Sequence, residues 1–151
     1  MGNVNNFIVE FAKHKLLIYF ALLWGLSMFF WSLYDTGHYA FGHAETFPVL
    51  PIVYNLLELF AGLFLAIFAI MLMKPNILGA VNKEKVFLYF LILWGASLFL
   101  SGLSDILRYG QWIFQYWDDS IGLLGAIADF LGGAVLALFS WNLLSKKEPK
   151  N

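Results

Sequence analysis

The chain has 151 residues, of which 61% are hydrophobic and only 13% charged, and its mean hydropathy is +0.74. That composition lies outside the usual range of soluble domains and points to an integral membrane protein. A net charge of -1 gives no reason to expect nucleic acid as a partner, and the lack of cysteine excludes disulfides, thiol redox chemistry and Cys-ligated metal.

Residues up to Ala12 are short and mixed. Phe7, Ile8, Val9 and Phe11, followed by Lys13 and Lys15, suit either an amphipathic segment at the headgroups or a frayed terminus. The first apolar run is too long for a signal peptide and lacks a small-residue cleavage site after it, so it is expected to stay in the mature protein. It spans about residues 16–35, close to the roughly 20 residues that cross a bilayer core. Tyr34, Tyr39, Phe41 and Phe47 follow, as an aromatic belt at the far interface would.

A second span is expected over about residues 48–73, with Pro48 and Pro51 in its first turns, where a missing N–H is tolerated. Lys74, Pro75, Asn76 and Gly79 end it, and a brief connector leads to a third span over about 86–107. Tyr109 to Asp119 is too short and too polar at its end to cross, and its Trp112, Phe114, Tyr116 and Trp117 suit an interfacial turn or half-helix, with an ordinary loop as the alternative. The fourth span covers about 120–144, and a lysine-rich tail closes the chain.

The organising feature is an internal repeat. Lys13 to Tyr39 recurs seventy residues later as Lys83 to Tyr109, with identical residues at Lys13/Lys83, Lys15/Lys85, Tyr19/Tyr89, Phe20/Phe90, Leu23/Leu93, Trp24/Trp94, Gly25/Gly95, Ser27/Ser97, Phe29/Phe99, Leu33/Leu103, Asp35/Asp105 and Tyr39/Tyr109. The second and fourth spans correspond at an offset of seventy-one, pairing Glu58 with Asp129, Gly62 with Gly133, Leu65 with Leu136, Ala66 with Ala137 and Phe68 with Phe139. The expectation is an all-α, polytopic four-transmembrane-helix bundle made of two tandem helical hairpins, residues 13–74 and 83–145, in one domain over 1–151. Each hairpin has an even number of spans, so the pseudo-twofold axis should run along the membrane normal. Lysines 13, 15, 74, 83, 85, 146, 147 and 150 fall on one side and Arg108 alone on the other, which predicts cytoplasmic termini.

Residues three and four apart share a helix face. Trp24, Ser27, Trp31 and Asp35 make one stripe, matched by Trp94, Ser97, Ser101 and Asp105; Pro51, Asn55, Glu58, Gly62 and Ala69 make another, matched by Gly122, Gly125, Asp129, Gly133, Ala137 and Ser140. Small residues mark close helix approach, and a carboxylate facing lipid is costly, so Glu58, Asp129, Asp35 and Asp105 are expected to point inward, in the outer half of the membrane. They are candidates for a cation- or proton-binding cluster, with protonated acids bonding across the bundle and helix-end acids at the water interface as the purely structural alternative. Trp24, Gly25, Ser27 and Gly62, with Trp94, Gly95, Ser97 and Gly133, are the candidate helix-packing residues.

His38 and His43, near Asp35 and Glu45 in the outer loop, are candidate metal ligands of unspecific spacing, against the alternative of solvated interfacial histidines. The lack of a mid-span histidine argues against bis-histidine haem, and the lack of a Glu-x-x-His spacing argues against a di-iron bundle site. No nucleophile, metal motif or phosphate loop appears, so no catalytic activity of the chain's own is expected.

GLSDILRYG after a Gly-rich span, and NLLELFAGLFLAIFAI with its glutamate one turn before a glycine, resemble the first hairpin of the DoxX-like four-span membrane proteins. The resemblance implies a small subunit associated with membrane redox enzymes, near quinone. Two classes of function follow as expectations. The first is an accessory or structural subunit of a larger membrane complex, redox or respiratory, bound to lipid, other membrane subunits or copies of itself; no cofactor is required, with quinone or a metal ion as the candidates if one is bound. The second is a small proton- or cation-coupled transporter or channel that uses the paired carboxylates.

Overall fold

The computed structural model describes residues 2–41, 49–74, 81–110 and 118–146. They form five helices: α1 (Gly2–Lys13), α2 (Lys15–Phe41), α3 (Val49–Met73), α4 (Lys83–Gly110) and α5 (Asp118–Ser145). The last four contain stretches long and apolar enough to cross a bilayer, the architecture of an integral membrane protein. The helices run beyond the expected spans at most of their ends, because backbone hydrogen bonding continues into the aromatic and charged residues that flank an apolar core.

Local signals account for the boundaries. Val4, Phe7, Ile8 and Phe11 recur with the three-and-four spacing of an amphipathic helix, and α1 uses that stripe to lie across the lysine-bearing end of the bundle. Ile8 is buried there, Phe7 stacks on Phe87 at 5.7 Å and Phe11 meets Phe68 at 6.2 Å. His14 separates α1 from α2, its carbonyl accepting from the amides of Leu17 and Ile18. Asn82 caps α4: its Oδ1 accepts from the amides of Glu84 at 2.9 Å and Lys85 at 3.3 Å, two of the donors a helix start leaves unpaired. Pro51 sits in the first turn of α3, where its missing N–H breaks no helix bond.

Two antiparallel hairpins, α2·α3 and α4·α5, cross backbone to backbone. A β-carbon built on Gly25 would fall 2.7 Å from the Ala66 nitrogen and 2.8 Å from the Gly62 oxygen, and one built on Gly62 would fall 2.6 Å from the Gly25 oxygen. In the second hairpin a β-carbon on Gly95 would fall 2.7 Å from the Ala137 nitrogen and 2.8 Å from the Gly133 oxygen. Only glycine allows these approaches, which is how small residues bring helices together where lipid provides no hydrophobic drive.

The hairpins meet through α3 and α4, where Ser97 Oγ donates to the Tyr54 carbonyl at 3.0 Å. The core lies toward the lysine-bearing end, around Ala61, Leu65, Phe68, Ala69, Met71, Val86 and Phe90. A run of rings fills that half. Trp24 meets Trp94 edge-on at 5.1 Å, Trp94 stacks on Phe90 at 5.5 Å, and Phe87 and Phe68 continue the run toward α1.

The four long helices do not close into a ring. α5 packs along α4, and makes no comparable packing with α2 or α3 among the described residues. A closed twofold bundle would require α5 to rest on α2 as α4 rests on α3. Here α2 packs on α3 and α5 on α4, with Trp94 and Phe90 of α4 against Trp24 of α2.

Candidate functional site

Three of the four intramembrane acids gather at the end of the bundle opposite the lysines. α2 brings Asp35, α3 brings Glu58 and α4 brings Asp105, all half-buried. Their common neighbour is Tyr54, which lies within electrostatic reach of Tyr39, Asp105, Asp35 and Glu58; Asp35 is also a charge neighbour of Glu58. Tyr54 was not singled out in the sequence, although it stands one helical turn before Glu58 and thus on the same face. Its phenol O–H can both donate and accept a hydrogen bond.

The fourth acid is elsewhere. Asp129 was expected to point inward beside Glu58, and it is exposed on α5. The buried face of α5 runs instead through Ala126, Gly133 and Ser140, with Phe130 half-buried and stacked on Phe99 at 4.5 Å. Among the described residues α5 packs extensively on α4 alone, and Asp129 falls outside the face so covered. Ser27 departs from expectation for the same reason: it is exposed, whereas Ser97 at the matching position is buried and bonded to α3. The remaining predicted packing residues, Trp24, Gly25, Gly62, Trp94, Gly95 and Gly133, all lie at helix contacts.

The outer half of the α2·α3 seam is polar. The buried stripe of α2 runs Ile18, Ala21, Gly25, Met28, Ser32, facing α3. With Gly25 set against Gly62 and Ala66, seven residues outward on α2 corresponds to seven residues back on antiparallel α3, which places Ser32 opposite Asn55 and Leu59. Ser32 Oγ, Thr36 Oγ1 and Asn55 Nδ2 are buried without a hydrogen-bond partner, as is Ser140 Oγ on α5. Ser32 is 0% exposed and Asn55 4%, so the seam is tightly shut and has no room for a guest molecule beside these atoms. The matching residues of the second hairpin are Gly102, Ile106 and Ala126, and there a β-carbon on Gly102 would fall 2.6 Å from the Ala126 oxygen.

His38 stacks on Tyr34 at 6.3 Å near the end of α2, while His43 and Glu45 lie outside the described residues. Among the described residues no three His, Asp or Glu side chains come together closely enough to hold a metal ion. The aromatic segment from Gln111 to Trp117 also lies outside the described residues, and so does the lysine tail beyond Lys146.

Comparison of the chain with protein-family models, with curated proteins and with solved structures returned no match. The likeness to DoxX-like proteins therefore rests on the two quoted segments alone.

Proposed function

We propose that this chain is an accessory, structural subunit of a larger membrane assembly, held in place through the uncovered face of α5. Asp129 carries the reading. It lies seven residues, about 10 Å, inside the apolar stretch that begins at Gly122, and it is exposed. An ionisable group facing hydrocarbon is costly, by about 3 kcal/mol or more at mid-membrane, and such groups face protein or water in folded assemblies. α5 otherwise presents Leu124, Ile127, Leu131, Val135 and Leu138, which suit a protein–lipid boundary around one polar contact.

Both hairpins enter the membrane in the same orientation in this reading, with the termini on the cytoplasmic side of the cell membrane, which the lysine distribution supports. The matched glycine crossings support two copies of one hairpin, and any axis relating them runs along the membrane normal. Gentle extraction followed by native electrophoresis tests the subunit role. The expected result is a species well above the 17.2 kDa of one chain, and a stable lone chain would refute it.

The cluster of Asp35, Asp105 and Glu58 around Tyr54 favours a second reading, a proton- or cation-coupled path. Against it, the rings from Trp24 to Phe68 fill the lysine-bearing half of the bundle, so the acids stand at a blind end of a single chain. Reconstituted flux unchanged by Glu58→Gln together with Asp105→Asn removes this reading.

A further inference from the structure

The internal repeat makes the packing of α3 on α4 a template for two faces that one chain leaves open. On α4, Phe90 and Ser97 are each 3% exposed; on α3, Ala61 is fully buried and Tyr54 and Glu58 are half-buried. The Ser97–Tyr54 hydrogen bond sets the register, and seven residues further along the antiparallel pair Phe90 stands opposite Ala61. Transferring α4 back by seventy residues and α3 forward by seventy-one gives Phe20, Leu23 and Ser27 on α2, and Gly125, Asp129 and Gly132 on α5. Every one of these is exposed, Phe20 by 61% and Leu23 by 67%. A β-carbon on Gly125 or Gly132 would meet nothing within 4 Å.

The two open faces fit one another. In the occupied interface Tyr54 on α3 accepts through its carbonyl from Ser97 on α4, and Ser101 stands one turn further out on α4. In the open pair the sizes are exchanged: Trp31 stands at the Ser101 position and Gly125 at the Tyr54 position. An open apolar groove of about 480 Å³ runs beside Gly132, lined also by Leu131, Val135, Leu136 and Phe139, and the transferred register sets the Phe20 ring opposite Gly132. Asp129 falls opposite Leu23, one turn from the Ser27 hydroxyl, a donor for a carboxylate otherwise facing lipid.

We infer that a second copy of this chain covers these faces, with α5 of each copy lying against α2 of the other, so that two chains close a ring of four hairpins. The inference rests on the reading of α5 as an interface and names its partner. The chain's own α2 is not the occupant, because α2 packs on α3 and α5 on α4, and α2 and α5 make no comparable packing among the described residues. A reciprocal exchange closes the assembly, whereas a one-way contact would leave an open α2 and an open α5 at its ends and propagate.

The cysteine-free chain permits a direct test. Ser27→Cys and Gly125→Cys are made singly and together, and membranes are oxidised with copper phenanthroline before non-reducing electrophoresis. The double variant is expected to run as a covalent species of two chains, and so is a co-expressed mixture of the two single variants, while each single variant alone stays at the mass of one chain. A cross-link within one chain, a ladder beyond two chains, or no cross-link at all overturns the proposal. Gly132→Trp, which fills the groove, should lower the two-chain fraction in native mass spectrometry at least tenfold with helix content unchanged by circular dichroism; an unchanged fraction also overturns it. A failed cross-link in an assembly that holds a different polypeptide refutes the second copy and leaves the subunit role standing, whereas a lone chain refutes both.

Discussion

The two hairpins share one glycine crossing and differ in the residues that fill the seam outward from it. At the crossing, Gly25 and Gly62 in the first and Gly95 and Gly133 in the second hold their helices at the same backbone-to-backbone spacing. Outward of it, the first hairpin fills its seam with Ser32, Thr36 and Asn55, while the second uses Gly102, Ile106 and Ala126. The neighbours differ as well. α3 is covered on two sides, by α2 and α4, whereas among the described residues α5 packs extensively on α4 alone. Two hairpins of matched sequence can therefore share the contact between their helices while the seams beside it differ.

The largest effect should come from breaking the shared crossing. Gly62→Val and Gly133→Val each force a side chain into backbone atoms, and each should destabilise its hairpin by about 3 kcal/mol or more, read as loss of the unfolding transition in detergent. Equal losses would show that the crossings contribute alike; a much smaller loss at Gly133 would show that α5 is held more by contacts other than its crossing with α4.

Next in size is the uncovered acid. Asp129→Leu should raise the stability of the isolated chain by about 3 kcal/mol, since it removes an ionisable group from the lipid face, and should shift the native species toward lower mass. Stability gained without loss of assembly would place the contact elsewhere on α5. Glu58→Leu at the matching position of α3 should not be stabilising, because Glu58 lies beside Tyr54 and Asp35.

The polar seam gives a smaller change. Ser32→Gly with Asn55→Ala installs the second hairpin's own solution in the first, and relieving two unpaired buried groups should raise stability by about 1 to 3 kcal/mol. A loss instead would show that these side chains support the acid cluster above them. The smallest difference is between the paired serines: Ser97→Ala should cost about 0.6 kcal/mol through its bond to Tyr54, and Ser27→Ala should cost nothing in a lone chain but lower the dimer fraction in native mass spectrometry.

Much of this was legible in the residues themselves. The four spans and the glycines of both crossings follow from apolar run length and the small-residue spacing, because these depend on single helices and on contacts between helices adjacent in sequence. The candidate site was legible in part. Asp35, Glu58 and Asp105 could be picked out as polar residues in apolar helices, but Tyr54 could not, since a tyrosine near a helix end reads as an interfacial anchor until the neighbouring acids are in place.

Sequence alone determined that the chain has four membrane-length helices, because hydrophobicity acts over each helix by itself. Only the tertiary structure decided that the hairpins meet through α3 and α4 and leave α5 to one side. That choice depends on how bulky rings share space: Trp24, Phe90 and Trp94 pack between α2 and α4, and α5 is left with the far face of α4. Identical spacing in the sequence thus placed Glu58 inside the fold and Asp129 outside it.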